Sequence, residues 1–128
     1  MASSAYALPR ASESERIVRS EAIQLALVAA TFAPLECARA CAEVMELSRI
    51  VAVKGNLNAA GEAALAALAA NAALRGAALN VYINTDNMRD RSFVERTLAE
   101  LKDIVHGRDG FDADVIELVR ARMVNASS

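Results

Sequence analysis

The sequence predicts an all-α protein, a bundle of about five helices around a central, buried, alanine-rich one. Three observations lead there. Of the 128 residues 29 are alanine, the strongest helix former, while five Gly and two Pro are few. Hydrophobic residues make up 55% and charged residues 23%, too apolar a balance for a disordered chain. Apolar side chains recur at spacings of three and four over long stretches, the period of a helix face. The length fits a single domain over residues 1–128.

A polar arm comes first. Ser12 with Glu15 three residues later has the pattern of a capping box and starts a helix expected to reach Ala33, with Val18, Ala22, Leu25, Ala29 and Phe32 as its apolar stripe. Pro34 has no N–H and its ring crowds the preceding turn, so the helix is expected to break or restart there. A second helix, Leu35 to Val53, takes Pro34 in its first turn. It lines Glu36, Arg39, Glu43, Glu46 and Arg49 along one solvated side, with Glu36–Arg39 and Glu46–Arg49 spaced to pair weakly. Cys41, Val44, Leu47 and Val51 lie elsewhere on it. Gly55 is a natural stop, with Lys54 beside the last carbonyls.

The third helix, Ala60 to Asn84, carries only Glu62 and Arg75 as charges and is expected to be buried nearly all round. Asn71, Asn80 and Asn84 intrude on it. Each buried amide needs partners, since one left unsatisfied costs about 1–3 kcal/mol, and these three are either clamps or site residues. Asp90 caps a fourth helix, Arg91 to His106, buried through Val94, Leu98, Leu101 and Val105 and ended by Gly107. A fifth, capped by Asp112, runs to Val124 with Ile116, Val119 and Met123 inward, and Asn125 to Ser128 form a tail.

A formal charge of −2 and an isoelectric point near 5.4 supply no basic field for nucleic acid or anionic lipid. The first ten residues lack the apolar core of a signal peptide, and the uncharged stretches Ala22 to Leu35 and Ala63 to Leu74 fall short of the roughly 18 residues of a membrane span. A cytoplasmic protein with neither membrane nor nucleic acid as partner is expected. Cys37 and Cys41, four apart on one helix with the single His far away, read as buried reduced thiols rather than a disulfide or a metal site.

Chemistry points to the loop Gly55-Asn56-Leu57-Asn58 leading into Glu62, which gathers amides, free backbone N–H groups and a carboxylate at the start of an apolar helix. Glu62 either complements the helix dipole, worth about 0.3–1 kcal/mol when exposed, or serves as a general acid/base or grips an exocyclic nitrogen of a ligand. Tyr82, between Asn80 and Asn84, is either core or a surface for a flat ring. His106 reads as a solvated helix end. No Ser-His-Asp order, phosphate loop or dinucleotide fingerprint is present.

Tyr6-Ala7-Leu8-Pro9, Glu15-Arg16, Val53-Lys54-Gly55-Asn56-Leu57-Asn58 and Ala77-Ala78-Leu79-Asn80-Val81-Tyr82-Ile83-Asn84 together resemble the cyclodeaminase/cyclohydrolase family. The similarity runs through nearly all of the chain. Its most specific part is a Gly-Asn-x-Asn loop followed about 25 residues later by Asn-Val-x-x-Asn. The resemblance implies an all-helical, dimeric enzyme of one-carbon metabolism that acts on a tetrahydrofolate derivative without a metal or a further cofactor. The wording of the two motifs is nearer to the bacterial cyclohydrolases, which implies hydrolysis of 5,10-methenyltetrahydrofolate to 10-formyltetrahydrofolate. The alternatives are formiminotetrahydrofolate cyclodeamination, with release of ammonia, and a non-catalytic folate-binding or dimerisation module. Glu62 would be the catalytic residue, and Lys54, Asn56, Asn58, Asn80, Tyr82 and Asn84 would bind substrate.

Two departures from the family pattern matter. Ser-Asp-Ala becomes Gly61-Glu62-Ala63, an acid one methylene longer without the neighbouring hydroxyl. The family's N-terminal helices, with their Pro-Gly-Gly-Gly-Ser-type turn, have no counterpart here. Apolar faces are then left without cover, which implies a homodimer or higher oligomer, or a second polypeptide carrying those helices.

Overall fold

Ser12 does start a helix by the reciprocal bonds of a capping box: its Oγ accepts the Glu15 N–H at 3.1 Å, and the Glu15 carboxylate accepts the Ser12 N–H at 3.2 Å. In the computed structural model, which describes residues 2–127, the chain order is α1 (Ala2–Tyr6), α2 (Glu13–Lys54), α3 (Leu57–Asp86), α4 (Arg91–Val105) and α5 (Phe111–Ser127). Part of the expected polar arm is therefore helical, with Ala5 buried and Arg19 donating to the Tyr6 carbonyl at 3.2 and 3.3 Å. The expected tail is helical as far as Ser127; Met1 and Ser128 lie outside the described residues.

The largest correction concerns Pro34, which lies inside one continuous 42-residue helix. Its missing N–H leaves the Ala30 carbonyl without the donor four residues on, and Asn84 of α3 supplies the substitute, Nδ2 donating to that oxygen at 3.2 Å. α2 and α3 form an antiparallel hairpin over most of their lengths, closed at the far end by Gln24 donating to the Asn87 carbonyl at 3.1 Å and accepting the Arg89 N–H at 2.9 Å. That packing accompanies a helix continuous through Pro34.

The hairpin core is made of small side chains that let the backbones approach closely. α2 buries Leu27, Thr31, Leu35, Ala38, Ala42, Met45, Ser48 and Ala52; α3 buries Ala60, Ala64, Ala67, Ala70, Leu74, Ala77, Ala78 and Val81 among others. The expected stripe of Val18, Leu25 and Phe32 faces outward, at 62%, 73% and 55% exposure. Alanine and threonine, interspersed with Leu27, Leu35 and Met45, form the α2 face that meets α3. Thr31 and Thr85 are buried at no polar cost, each hydroxyl donating 2.8 Å to the carbonyl one turn back.

α4 is as expected: Asp90 Oδ1 accepts the Phe93 N–H at 3.1 Å, and Val94 and Leu101 are buried. α5 starts at Phe111, after Gly110 at a φ of 74°, rather than behind an Asp112 cap. Anchoring Phe111 and Val115 in the core turns Ile116 and Met123 outward and leaves Val119 half-buried. The α2 charges pair away from their own helix, Arg39 with Glu100 of α4 and Glu46 with Arg108 of the α4–α5 connection, rather than along α2.

Two further expectations are corrected. Cys37 is exposed and Cys41 half-buried, their Sγ atoms 4.0 Å apart as free thiols, since the small-residue face displaced them from the core. α3 is not buried all round: Leu65, Leu79 and Ile83 are 69%, 60% and 63% exposed. α2 and α3 each hold an 18-residue window apolar enough to cross a membrane by length and composition, with mean hydropathy 1.4 and 1.3 and no more than two charged residues in each.

Candidate functional site

The turn between α2 and α3 is built by three local interactions. Gly55 ends α2 in extended backbone and donates its N–H to the Val51 carbonyl at 2.7 Å. A Cβ on Gly55 would lie 2.7 Å from that carbonyl oxygen, so close approach selects glycine here. Asn56 is the N-cap of α3, its Oδ1 accepting the Ala59 N–H at 2.9 Å and its carbonyl accepting the Ala60 N–H at 2.8 Å. The helix thus begins at Leu57, three residues before the expected Ala60, and takes Asn58 into its first turn.

Asn58 and Glu62 stand one turn apart, and both are exposed. With Leu57, Gly61 and, from α5, Val119 and Met123, they line an open groove of about 390 Å³. Gly61 has nothing within 4 Å of where a Cβ would stand, which keeps the space beside Glu62 clear. Lys54, the last residue of α2, is exposed at the same end. Asn58 and Glu62 are therefore brought together, an amide and a carboxylate beside an apolar wall, while Lys54 and Asn56 stand in the adjoining turn and do not line the groove.

Asn80, Tyr82 and Asn84 are not brought to them. Asn80 is 22 residues beyond Asn58 on one unbroken helix, roughly 33 Å along its axis. It lines another groove, of about 510 Å³, with Ala33, Pro34, Cys37, Ala73, Gly76 and Ala77. Tyr82 is 49% exposed, and Asn84 is engaged with the Ala30 carbonyl. The third amide, Asn71, is a clamp to α5, donating to Asp112 Oδ1 at 2.8 Å. Among the described residues no three His, Cys, Asp or Glu side chains converge on a point.

The outward face of α3 connects the two ends. Glu62, Leu65, Ala69, Ala72, Gly76, Leu79 and Ile83 follow spacings of three and four and are all exposed, directly opposite the buried face. Sequence reasoning missed α5 as a wall of the groove and missed Arg122, whose guanidinium donates to the carbonyls of Ala52 and Gly55 at 2.7 and 2.6 Å. Arg122 and Met123, three and four residues after Val119, were the available signal.

A sequence profile described as Formiminotransferase-cyclodeaminase matches residues 2–103. The chain is 43% identical over 119 residues to a methenyltetrahydrofolate cyclohydrolase of Methylorubrum extorquens (strain ATCC 14718 / DSM 1338 / JCM 2805 / NCIMB 9133 / AM1), an alignment covering 93% of this chain. The same alignment covers 57% of that relative, so the chain spans less than two-thirds of its length.

Proposed function

The chain belongs to the formiminotransferase-cyclodeaminase family, and from that premise we propose that it hydrolyses 5,10-methenyltetrahydrofolate to 10-formyltetrahydrofolate. The single observation that carries this reading is the Asn58–Glu62 pair beside an open, apolar-walled groove, in a chain 43% identical to a methenyltetrahydrofolate cyclohydrolase.

The substrate carries an electrophilic carbon between two nitrogens within a charged amidine, so water adds to it without a metal. In our reading the Glu62 carboxylate takes the proton from that water as the C–O bond forms. It returns the proton to the pteridine nitrogen as the C–N bond to the tetrahedral carbon breaks, leaving the formyl group on the other nitrogen and releasing one proton overall. Leu57, Val119 and Met123 offer apolar contact to the ring, and the amides of Asn56 and Asn58 suit its polar edge. Lys54 suits the anionic tail of a folate.

The site's second half comes, in the same proposal, from another copy of the chain. Along the exposed α3 stripe, Leu65 and Leu79 stand seven residues to either side of Ala72, with the small residues Ala69 and Gly76 between. An antiparallel second copy matched at Ala72 sets Leu65 against the other copy's Leu79 and brings its Asn80 and Tyr82 level with Glu62. Such an assembly covers apolar surface that a lone chain leaves in water, and it fits a cytoplasmic homodimer.

The test is loss of the near-ultraviolet absorbance of methenyltetrahydrofolate on adding the protein, with Glu62→Gln as control. Turnover that the substitution abolishes supports hydrolysis. Ammonia released from a formimino substrate instead would favour cyclodeamination, and a folded protein that binds folate without turnover would mark a non-catalytic module.

A further inference from the structure

The face of α5 that closes the groove also grips the turn leading into it. Ala52, in the last turn of α2, and Gly55, just past it, hold carbonyls at the helix end, where intrahelical donors run out. Arg122 bonds to both, 2.7 Å from Nη1 and 2.6 Å from Nη2. The guanidinium is half-buried and lies at the negative end of α2, where the dipole favours a cation. Its planar fork holds two acceptors in fixed directions, which an ammonium does not. Val119 and Met123 share its side of α5 and form the groove wall opposite Asn58 and Glu62. The family match ends at residue 103, before α5 begins.

We infer that Arg122 is a positioning residue. It fixes the α2–α3 turn, and with it Lys54, Asn56 and Asn58, against the Val119–Met123 wall, and so sets the width of the groove that takes the substrate's flat heterocycle. The inference rests on the folate reading above.

The experiment compares the full chain with Arg122→Lys and Arg122→Ala by steady-state kinetics on methenyltetrahydrofolate and by residue-resolved hydrogen exchange. In Arg122→Ala, KM rises about tenfold while kcat falls by less, the mark of lost alignment rather than lost chemistry. Exchange quickens at the Gly55, Ala59 and Ala60 amides, which are bonded within the turn, and stays unchanged in α4. Arg122→Lys keeps the charge at the helix end and the melting temperature, yet recovers KM only in part.

Wild-type KM and wild-type exchange at those three amides in Arg122→Ala overturn the inference. So does a uniform rise in exchange through α4 with KM unmoved, which marks a merely structural role. Should the wild type neither turn over nor bind the folate, the functional reading fails instead, and exchange at Gly55, Ala59 and Ala60 still decides whether Arg122 positions the turn.

Discussion

Asn84 stands in for the hydrogen that Pro34 lacks: its side-chain Nδ2 donates at 3.2 Å to the Ala30 carbonyl, the oxygen an α-helical N–H at position 34 would have reached. One amide on α3 thereby lets α2 run unbroken for 42 residues. The relationship also alters the reading of Asn84, whose donor group is spent on the fold.

A double-mutant cycle on this pair should show strong coupling. Asn84→Ala leaves the Ala30 carbonyl without a donor and is expected to destabilise the protein by about 1–2 kcal/mol. In a Pro34→Ala background the backbone N–H returns, and the same substitution should cost only a few tenths of that. Urea unfolding of the four proteins measures the cycle; equal costs in both backgrounds would refute the substitution of one donor for the other.

Gly55→Ala tests the turn. The added Cβ would stand 2.7 Å from the Val51 carbonyl and 3.3 Å from Ala59 Cβ, so backbone must move. A loss of about 1–3 kcal/mol is expected. Because the shift lies beside the groove, KM for the folate should rise as well, and a variant as stable as wild type would show the contact to be easily relieved.

The two thiols should react at different rates. Cys41 is half-buried, and its burial, with the Cys37 sulfur beside it, pushes its pKa up. Thiolate is the reactive form, so iodoacetamide should modify the exposed Cys37 first and reach Cys41 late, the lag shrinking as pH rises. The same shift has a sign for stability. The folded state keeps the Cys41 proton at a pH where the unfolded chain has lost it, so this contribution is complete below the ordinary thiol value and is lost as pH rises through the raised one. Peptide mass spectrometry over time checks the order, and equal rates would contradict it.

The start of α4 and the capping box of α2 were legible because each rests on local signals, Asp90 and the Ser12–Glu15 pair acting within four residues, whereas the Asn56 cap that starts α3 at Leu57 was hidden in a segment that reads as loop. The continuity of α2 was not legible, because its cause lies 50 residues from Pro34, on Asn84. The rotation of α2 was hidden for a related reason. Large apolar residues such as Leu25 and Phe32 signal a core, yet a hairpin packed through Ala38, Ala42 and Ala52 turns them outward. Of the candidate site, the Asn56–Glu62 half could be read locally; that Asn80 lies roughly 33 Å along the axis from Asn58 follows from α3 being one unbroken helix.

The separation of those halves makes the last prediction. If Glu62 of one copy works with Asn80 of another, then Glu62→Gln and Asn80→Ala are each expected to lose activity alone, Glu62→Gln by 100-fold or more. Mixing the two inactive proteins, unfolding and refolding them together, should rebuild one intact site in each mixed pair. Random pairing then restores roughly a quarter of wild-type turnover, since half of the dimers are mixed and each carries one good site of two. A third variant separates this from simple leakage: Leu79→Asp, placed on the outward face of α3, should shift the protein toward monomer by light scattering and abolish the rescue. Full activity of a Leu79→Asp monomer would mean that Asn80 serves the fold of its own chain. Rescue without any change in mass would mean that the copies associate through a face other than the α3 stripe.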